Sequence, residues 1–337
     1  MIMKRVLLGM SGGVDSSVAA YLLRKEGYEV VGVTMYLVNK EDDTSIDDAK
    51  KIAKMLNIEH HVIDYRDFFK ETIIKNFITS YQNTQTPNPC ILCNKKLKFG
   101  LLWEKAKELN CEYIATGHYA QIKDNKIYRI PSYKDQTYFL YSINKEVLPH
   151  IIFPLSSFSN KEDIRKIAEE NNLITAHKKD SQDICFIPDK YTDFLEQNIK
   201  SLPKKGKFIY HNDELGEHKG LIYYTIGQRK GLGISYSKPL YVISLDKEKN
   251  QVILGDENEL YSSEVLITNT NLLVDKLPNK CLGKIRYKSE LSPCTVTVID
   301  DNNIKVVFDK PVKSVTPGQS LVLYDDYLLL GGGIITK

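Results

Sequence analysis

The first 118 residues alternate short apolar runs with segments whose apolar residues recur at helical spacing. The runs with strand character are 5–8, 29–37, 61–65 and 113–116. The helical patterns are 18–23, 47–56, 67–80 and 94–109, the last one after a break at 86–89. Apolar runs this short indicate buried strands, and strands that alternate with helices indicate a parallel sheet with helices on both faces. We therefore predict a doubly wound α/β domain at the start of the chain.

The pattern changes in the second half of the chain. Before the change we predict a hairpin at 122–130, with its turn at Asp124-Asn125, and helices at 160–172 and 191–199. Helical periodicity stops at residue 202. The strands predicted after it are 207–210, 240–245, 251–254, 294–299, 304–308, 320–324 and 328–335. We predict three domains, of which the last two are small β domains: 1–200, 201–265 and 266–337.

The composition is that of an ordinary soluble globular protein. Of 337 residues, 26% are charged and 42% are hydrophobic, and the formal net charge is +3. This balance neither requires nor excludes a nucleic-acid partner, because a basic face can exist within it. The N-terminus lacks the pattern of a signal peptide, and no apolar run has membrane-spanning length. We expect a cytoplasmic protein whose six cysteines are thiols, metal ligands or catalytic groups.

The glycine-rich turn between the first strand and the first helix is a candidate binding site. A strand, a flexible turn and a helix N-terminus in succession leave backbone N–H groups free around one small volume. The positive end of the helix dipole faces the same volume, which favours an anion. Asp15 or Ser16 is the predicted N-cap of the helix. The residues of the turn are Gly9, Met10, Ser11, Gly12, Gly13, Val14, Asp15, Ser16 and Ser17.

Two common phosphate-binding loops do not fit this turn. The Walker A loop requires a Lys where this chain has Val14-Asp15, and the dinucleotide pattern G-x-G-x-x-G is absent. The pattern that remains, S-G-G-x-D-S, resembles the PP-loop of ATP pyrophosphatases, which split ATP between its α- and β-phosphates and adenylate a substrate. Met35 lies near the end of the second predicted strand and Gly117 follows the fourth, so they fall on the same rim of the sheet as the turn.

The cysteines divide into two groups. Cys90 and Cys93 form a C-x-x-C before the helical pattern at 94–109, and Cys185 precedes a short apolar segment. Because a helix N-terminus lowers the pKa of a thiol, we predict that Cys93 is a thiolate near neutral pH. The others lie against strand-like apolar segments and are predicted to be buried, inert thiols: Cys111, Cys281 and Cys294.

Three interpretations compete for Cys90, Cys93 and Cys185. They could be structural thiols, although a C-x-x-C in a cytosolic chain usually indicates redox or metal chemistry. A structural zinc site would need a fourth ligand, and the sequence offers no second C-x-x-C and no paired His. The third interpretation is sulfur or redox chemistry, either through a nucleophilic thiolate with a persulfide-carrying partner or through an iron–sulfur cluster with one open iron.

Eight motifs in a fixed order resemble the tRNA-specific 2-thiouridylases. The resemblance extends from residue 5 to the C-terminal glycine-rich segment. It implies an adenine nucleotide α-hydrolase-like PP-loop domain followed by two small β domains, the last of them a β-barrel. It also implies an enzyme that replaces the 2-oxygen of the wobble uridine of tRNA with sulfur at the expense of ATP. The motifs are 9–16, 86–94, 115–119, 134–136, 184–187, 227–233, 286–287 and 316–319.

The resemblance assigns roles to particular residues. Cys93 is the implied nucleophile, and Cys185 is the implied persulfide carrier that forms a transient disulfide with it. The implied ATP-binding residues are Gly9, Met10, Ser11, Gly12, Gly13, Val14, Asp15, Ser16, Met35 and Gly117. The implied contacts to the target base are Asn88, Pro89 and Cys90. The implied contacts to the rest of the tRNA are His118, Lys134, Asp135, Gln136, Arg286, Tyr287 and Gln319.

The implied ligands and partners are ATP, Mg²⁺, tRNA with anticodons of the Lys, Glu and Gln type, and a sulfur-relay protein or cysteine desulfurase; we expect a monomer. Some members of the family have Asp at the position of Cys90, so the third thiol keeps open a [4Fe-4S] cluster on Cys90, Cys93 and Cys185.

Several alternatives stay open. Asp15 could order Mg²⁺ or cap the helix. Arg286-Tyr287 could be an ordinary surface pair. The rival classes are another PP-loop adenylating ligase and a non-catalytic RNA-binding protein.

Overall fold

A five-stranded parallel sheet forms the centre of the N-terminal part of the molecule. The computed structural model describes residues 3–39, 43–178, 184–201 and 203–336. The strand order is β3-β2-β1-β4-β7, and all four neighbouring pairs are parallel. The predicted doubly wound sheet is confirmed, with a short fifth strand that the sequence pattern did not indicate. The strands are β1 Arg5–Gly9, β2 Glu29–Tyr36, β3 Glu59–Asp64, β4 Tyr113–Ala115 and β7 Ile151–Ile152.

Helices cover both faces of this sheet, because successive side chains of its strands point to opposite sides. Leu7 of β1 packs into the core on one face, and Val6 and Leu8 pack into the core on the other. The helices are α1 Val14–Lys25, α2 Ser45–Met55, α3 66–82, α4 89–108, α5 Lys161–Glu170 and α6 Tyr191–Asn198. Short 3-10 segments lie at Thr137–Phe139, Lys145–His150, Leu221–Tyr223 and Glu257–Leu260.

The helix predicted at 94–109 begins earlier than expected. Its first residue is Pro89, and Asn88 is its N-cap, with the side-chain oxygen accepting a hydrogen bond from the Cys90 N–H at 3.2 Å. Asn is a favoured N-cap, and Pro is favoured at the first helical position because it has no N–H to leave unsatisfied. The segment that the sequence suggested to be a break is therefore the start of α4, and both thiols of the C-x-x-C lie inside the helix.

The middle β domain is a four-stranded sheet with the order β10-β11-β8-β9. Its inner face packs against α3 and α6 in one core that includes Phe77, Phe186 and Phe208. Strand β9 was not predicted, because its sequence, D-E-L-G-E-H, is polar. The strands are β8 Gly206–Tyr210, β9 Asp213–His218, β10 Tyr241–Asp246 and β11 Gln251–Gly255.

The C-terminal part is a closed antiparallel barrel of six strands. It closes because β12 pairs with both β15 and β17, so the barrel has no free edge. The predicted barrel is confirmed, but the predicted boundary at 265/266 falls inside β12, and β12 and β13 were not predicted as strands. The strands are β12 Tyr261–Leu272, β13 Lys280–Lys284, β14 Ser292–Val298, β15 Ile304–Lys313, β16 Ser320–Asp325 and β17 Leu328–Ile335.

The predicted hairpin at 122–130 is confirmed, and it connects the two ends of the chain. Its strands are β5 Gln121–Lys123 and β6 Lys126–Tyr128, and both turn residues have positive φ, as a two-residue hairpin turn requires. Tyr128 of β6 pairs with Leu328 of β17. The hairpin thus extends the barrel sheet from within the N-terminal part of the sequence. None of the helices described in the structure has the length and apolar character needed to cross a membrane.

Candidate nucleotide and thiol site

The turn after β1 is folded by its own serine side chains. The Ser16 hydroxyl donates to the Gly13 carbonyl at 3.0 Å and accepts from the Ser11 N–H at 3.2 Å. The N-cap of α1 is Gly13, which makes no side-chain cap, so the predicted capping by Asp15 or Ser16 is wrong. The serines instead hold the turn over the helix N-terminus. This arrangement is a suitable binding site for phosphate, because helix N-termini attract anions.

Gly12 lies where this turn touches the N-terminus of α2. Its φ is +68°, and a Cβ atom built on it would lie 2.0 Å from the carbonyl oxygen of Ser45. A side chain would therefore be strained by the left-handed backbone and would also collide with backbone atoms. The residue is glycine because the turn and α2 pack directly against each other.

The Asp15 carboxylate is held from two sides. The Tyr119 hydroxyl donates to Oδ1 at 2.7 Å, and Lys161 Nζ donates to Oδ2 at 2.6 Å. Lys161 is the first residue of α5 and keeps only 9% of its side chain exposed. Sequence analysis did not single out Lys161, because it lies 146 residues from Asp15 and no local pattern connects the two.

The other predicted nucleotide-binding residues lie at the same edge of the sheet. Strands β2, β1 and β4 are neighbours, and their carboxyl ends carry Met35, Gly9 and, just beyond β4, Gly117. A Cβ atom on Gly117 would lie 3.2 Å from atoms of Asp15 and Ser16, so this residue packs against the first turn of α1. The structure brings together the residues that the sequence assigned to ATP, and their contact with ATP stays a prediction.

Cys93 is buried beneath the surface, whereas Cys185 is exposed. Cys93 belongs to a core that includes residues of α3 and Phe186. Phe186 directly follows the exposed Cys185 and packs edge-on against Phe77, with ring centroids 5.4 Å apart. Burial raises the pKa of the Cys93 thiol to about 12, and the neighbouring thiols of Cys185 and Cys90 add to the increase. A negative charge on Cys185 or Cys90 would therefore make it harder for Cys93 to lose its proton.

The prediction that Cys93 is a thiolate near neutral pH is wrong for this state of the protein. Two features of the structure explain the difference. The helix starts at Pro89, so Cys93 lies beyond its first turn, where the dipole has less effect. In addition, the thiol is buried among apolar side chains, which disfavours its charged form.

Lys98, one turn further along α4, places a positive charge near the two thiols of the C-x-x-C. This charge lowers the pKa of Cys93 and of Cys90 and so opposes the effect of burial on each. The thiol of Cys90 reaches solvent, yet the surrounding protein still raises its pKa. His118 faces the same charge, and burial holds its pKa well below the usual value, so the imidazole is neutral. Its Nδ1 lies 2.7 Å from the Thr116 hydroxyl.

We expect Cys93 to react slowly with iodoacetamide in the folded protein. With a pKa of about 12, compared with 9.0 for an unperturbed thiol, the thiolate fraction at pH 8 falls by about a thousandfold relative to the urea-unfolded chain. The rate should rise about tenfold per pH unit between pH 7 and pH 10. Mass spectrometry of the alkylated peptides measures the reaction rate of Cys93, with exposed Cys185 as the control. Lys98→Met should slow Cys93 further; a pH-independent or faster reaction would contradict the assignment.

The segment that carries Asn88 and Pro89 is clamped by the barrel. The Thr86 N–H donates to the Pro317 carbonyl at 2.9 Å, and the side-chain amide of Gln319 donates to the Thr86 carbonyl at 2.7 Å. Two motifs that are 233 residues apart in the sequence are thus joined directly. The predicted tRNA contact of Gln319 stays a prediction. In the structure this side chain holds the segment that leads into the C-x-x-C.

Replacing Gln319 with Leu should loosen this segment before any RNA binds. The substitution keeps the size of the side chain and removes one hydrogen bond of about 1 kcal/mol, which corresponds to a rise of about fivefold in the KM for tRNA. Hydrogen exchange of the amides at 86–90 in the RNA-free protein should accelerate, whereas the affinity for an ATP analogue should not change. Unchanged exchange with a raised KM would indicate that Gln319 acts only through the RNA.

The three predicted RNA contacts at 134–136 differ in their exposure. Asp135 is buried and accepts hydrogen bonds from the Ile130 N–H at 3.2 Å and from the Thr137 hydroxyl at 2.8 Å. Gln136 accepts from the Tyr119 N–H at 3.0 Å. These two side chains support the loop beside the candidate nucleotide site, and Lys134 and Gln136 are both half-buried. Contact with tRNA stays a prediction for all three.

Arg286 and Tyr287 connect domains. The Arg286 guanidinium donates to the carbonyls of Ser314 at 3.0 Å and of Ile226 at 3.2 Å, and also contacts the Thr316 hydroxyl, so it joins the barrel to the middle domain. Tyr287 packs on Phe139 with ring centroids 4.5 Å apart. The alternative of an ordinary surface pair is therefore wrong, because both side chains are part of an internal junction. Their contact with tRNA stays a prediction.

The remaining cysteines are buried, as predicted: Cys111, Cys281 and Cys294. Cys281 and Cys294 face each other across β13 and β14, with their sulfur atoms 3.7 Å apart. Within the described ranges, no group of three or more His, Cys, Asp or Glu side chains is placed to hold a metal ion. Cys90, Cys93 and Cys185 do not form such a group in the part of the chain that the structure describes, and the iron–sulfur alternative stays a prediction.

Comparisons with known proteins cover the whole chain. Residues 4–189 match the family described as "tRNA methyl transferase HUP domain", residues 192–256 the "tRNA methyl transferase PRC-barrel domain", and residues 262–335 the "Aminomethyltransferase beta-barrel domain". Among solved structures, a 4-thiouridine synthetase–RNA complex with bound ATP is 19% identical over 58% of this chain and 50% of that chain, with a TM-score of 0.39. NMN synthetase from Francisella tularensis is 21% identical over 53% and 67%, with a TM-score of 0.36.

Curated relatives match from end to end. The protein named tRNA-specific 2-thiouridylase MnmA from Clostridioides difficile is 42% identical over 99% of this chain and 98% of its own length. The proteins of the same name from Clostridium acetobutylicum and Halothermothrix orenii are 44% identical, over 98% and 99% of this chain respectively and 99% of their own lengths. With this identity across nearly the full length of both partners in each comparison, the chain belongs to the tRNA-specific 2-thiouridylase family.

Proposed function

We propose that this protein is a tRNA-uridine 2-sulfurtransferase, which uses ATP to replace the 2-oxygen of the wobble uridine with sulfur. The observation that carries the proposal is the convergence of two chemistries on one region. The phosphate-binding turn lies at the carboxyl edge of the parallel sheet, and Met35 at the same edge packs against the core that includes Cys93. The family's end-to-end match supplies the substrate class.

The reaction needs ATP because oxide is a poor leaving group. The C2 carbonyl of uracil does not exchange its oxygen with a sulfur nucleophile unless that oxygen is activated. Attack of O2 on the α-phosphate of ATP forms an adenylated uridine and releases pyrophosphate, which the turn at residues 9–17 is suited to bind. Sulfide then adds to C2, and AMP leaves with the former uracil oxygen. The target base must be flipped out of the anticodon stack to reach the site.

The sulfur step uses the two cysteines with different exposure. Exposed Cys185 receives sulfane sulfur from a partner protein and carries it as a persulfide. Buried Cys93 loses its proton and attacks the Cys185 sulfur of that persulfide. The S–S bond of the persulfide breaks, a Cys93–Cys185 disulfide forms, and the terminal sulfur leaves as sulfide. Two thiol sulfurs are thereby oxidised and one sulfane sulfur is reduced, and a dithiol reductant resets the pair.

The finer assignments are part of the same proposal. The substrates are tRNAs with anticodons of the Lys, Glu and Gln type, the donor is a sulfur-relay protein or a cysteine desulfurase, and the enzyme acts as a cytoplasmic monomer. Mg²⁺ accompanies ATP, with Asp15 in the first turn of α1 as the candidate carboxylate for it. We also propose the division into 1–200, 201–265 and 266–337, with the second boundary moved to before Tyr261, because β12 runs across it.

The iron–sulfur alternative makes a different prediction. Three thiolates on one cluster would have to gather around it, and the described residues hold no such set of ligands. Protein purified without oxygen is therefore expected to be colourless. Stoichiometric iron with a broad visible absorption that disappears in Cys90→Ser would contradict the persulfide route and favour the cluster.

Incubation of the protein with ATP, a sulfur donor and unmodified tRNA tests the function directly. We expect a thiolated nucleoside and AMP, both dependent on tRNA and neither dependent on S-adenosylmethionine. The last control is included because the family descriptions name methyl transfer. Formation of ADP, AMP formation without tRNA, or a methylated nucleoside would contradict the proposal.

A further inference from the structure

The charged end of Lys161 is almost completely enclosed by protein. Its side chain is 9% exposed, and its ammonium lies 2.6 Å from the carboxylate of Asp15. The Asp15 side chain keeps 31% of its surface exposed, so the cost of desolvation falls mainly on the lysine, and attraction to the carboxylate offsets that cost only in part. Apolar side chains would fill such a site at less cost, so stability alone does not account for this pair.

The position of the pair points to a ligand. Asp15 lies in the first turn of α1, at the end of the helix that attracts anions. Lys161 reaches this point from the N-terminus of α5, and Tyr119 holds the second oxygen of the carboxylate. Gly117 approaches Asp15 within the distance at which a Cβ atom would touch it. The ammonium is thus held at the edge of the phosphate-binding turn by residues of two other segments, the first turn of α1 and the loop 117–119.

The charges explain why a lysine is needed there. A carboxylate at the mouth of a phosphate site repels the triphosphate of ATP, and an adjacent ammonium cancels that repulsion. A lysine ammonium also has three N–H donors, so the same group can bind a carboxylate and a phosphate oxygen together. Hydrogen bonds between charged partners are the strong ones in such sites.

We propose that Lys161 is a phosphate-binding residue of the nucleotide site, which donates to the triphosphate of bound ATP while Asp15 and Tyr119 hold its side chain in place. The inference rests on the proposed function only in taking ATP as the ligand of the turn. Lys161 adds a side-chain cation to a site that otherwise binds phosphate through backbone N–H groups and hydroxyls. Asp15 and Tyr119 become positioning residues for that cation.

Binding of α,β-methylene-ATP without tRNA or sulfur donor tests this inference. Lys161→Met should weaken binding by about tenfold to a hundredfold, the effect of one hydrogen bond between charged groups, and Lys161→Arg should recover part of the loss. Lys166→Met on the same helix is the control, because that side chain is 74% exposed. Unchanged binding by folded Lys161→Met would overturn the proposal.

A double-mutant cycle separates phosphate binding from simple charge balance. Lys161→Met removes the cationic partner of the half-buried Asp15 carboxylate and can destabilise the fold, whereas Asp15→Asn together with Lys161→Met leaves neither charge of this pair. If Lys161 contacts phosphate, the double variant should bind α,β-methylene-ATP about tenfold more weakly than Asp15→Asn alone. If it only balances Asp15, this addition should change nothing, and the proposal fails. A chain that binds the analogue through Lys161 but thiolates no tRNA would contradict the proposed function and leave this inference intact.

Discussion

Replacing either Cys93 or Cys185 with Ser is expected to abolish thiolation while pyrophosphate release continues. Adenylation of the uracil oxygen needs the phosphate site and the positioned base, whereas sulfur transfer needs both thiols. Loss of a nucleophile usually lowers a rate by about a thousandfold or more. The measurement is a single-turnover assay that follows radiolabelled pyrophosphate and thiolated nucleoside in parallel, with enzyme in excess over tRNA.

Cys281→Ser is the matched control, because Cys281 is a buried thiol in the barrel outside the proposed sulfur pathway. Its thiolation rate should stay within about twofold of the wild type, as is usual for a substitution away from a catalytic site. A Cys185→Ser protein that thiolates tRNA at the normal rate with a protein persulfide donor would contradict the relay. Loss of pyrophosphate release in Cys93→Ser would place that thiol in the adenylation step instead.

Gly12→Ala is expected to disable the nucleotide site and to destabilise the fold. The residue has φ of +68°, and its Cβ atom would lie 2.0 Å from the carbonyl oxygen of Ser45, so the turn and α2 must separate. Left-handed strain and displacement of packed backbone together should lower the free energy of unfolding by about 3 kcal/mol. ATP-dependent pyrophosphate release should fall by about a hundredfold or more, because the backbone N–H groups lose their arrangement.

Gly27→Ala distinguishes the effect of left-handed backbone strain from the effect of the collision with α2. Gly27 also has positive φ, +86°, but a Cβ atom there meets nothing within 4 Å. It should therefore lose only about 1 kcal/mol of stability and keep its activity. Urea unfolding of both variants with a pyrophosphate assay is sufficient to compare them. Equal losses in the two variants would show that backbone strain, and not the contact with α2, makes Gly12 necessary.

The parallel sheet and the glycine-rich turn after its first strand could be predicted because their signals are local. A short apolar strand, two glycines and a following helical pattern occupy about twenty consecutive residues, and the backbone geometry follows from them. The signal for the start of α4 is equally local. The prolines at 86–89 predict a break between elements, but Asn88 followed by Pro89 is also the signature of an N-cap and a first helical residue, and the structure shows the latter.

The protonation and positioning of the site could not be predicted, because they depend on contacts between distant parts of the chain. The pKa of Cys93 is set by a core that includes Phe186, ninety-three residues further on. The Asp15–Lys161 pair and the hold of Gln319 on Thr86 join segments 146 and 233 residues apart. Sequence patterns identify which residue types are present, but burial and charge pairing follow only from the packed fold.

The central claim, that ATP activates the uracil oxygen for replacement by sulfur, is tested most directly by isotope transfer. A tRNA carrying ¹⁸O at the 2-position of the wobble uridine is incubated with the protein, ATP and a sulfur donor, and the AMP is analysed by mass spectrometry. The account predicts one ¹⁸O in the phosphate of each AMP formed with each thiolated nucleoside. Thiolated tRNA accompanied by unlabelled AMP, or by ADP, would contradict it.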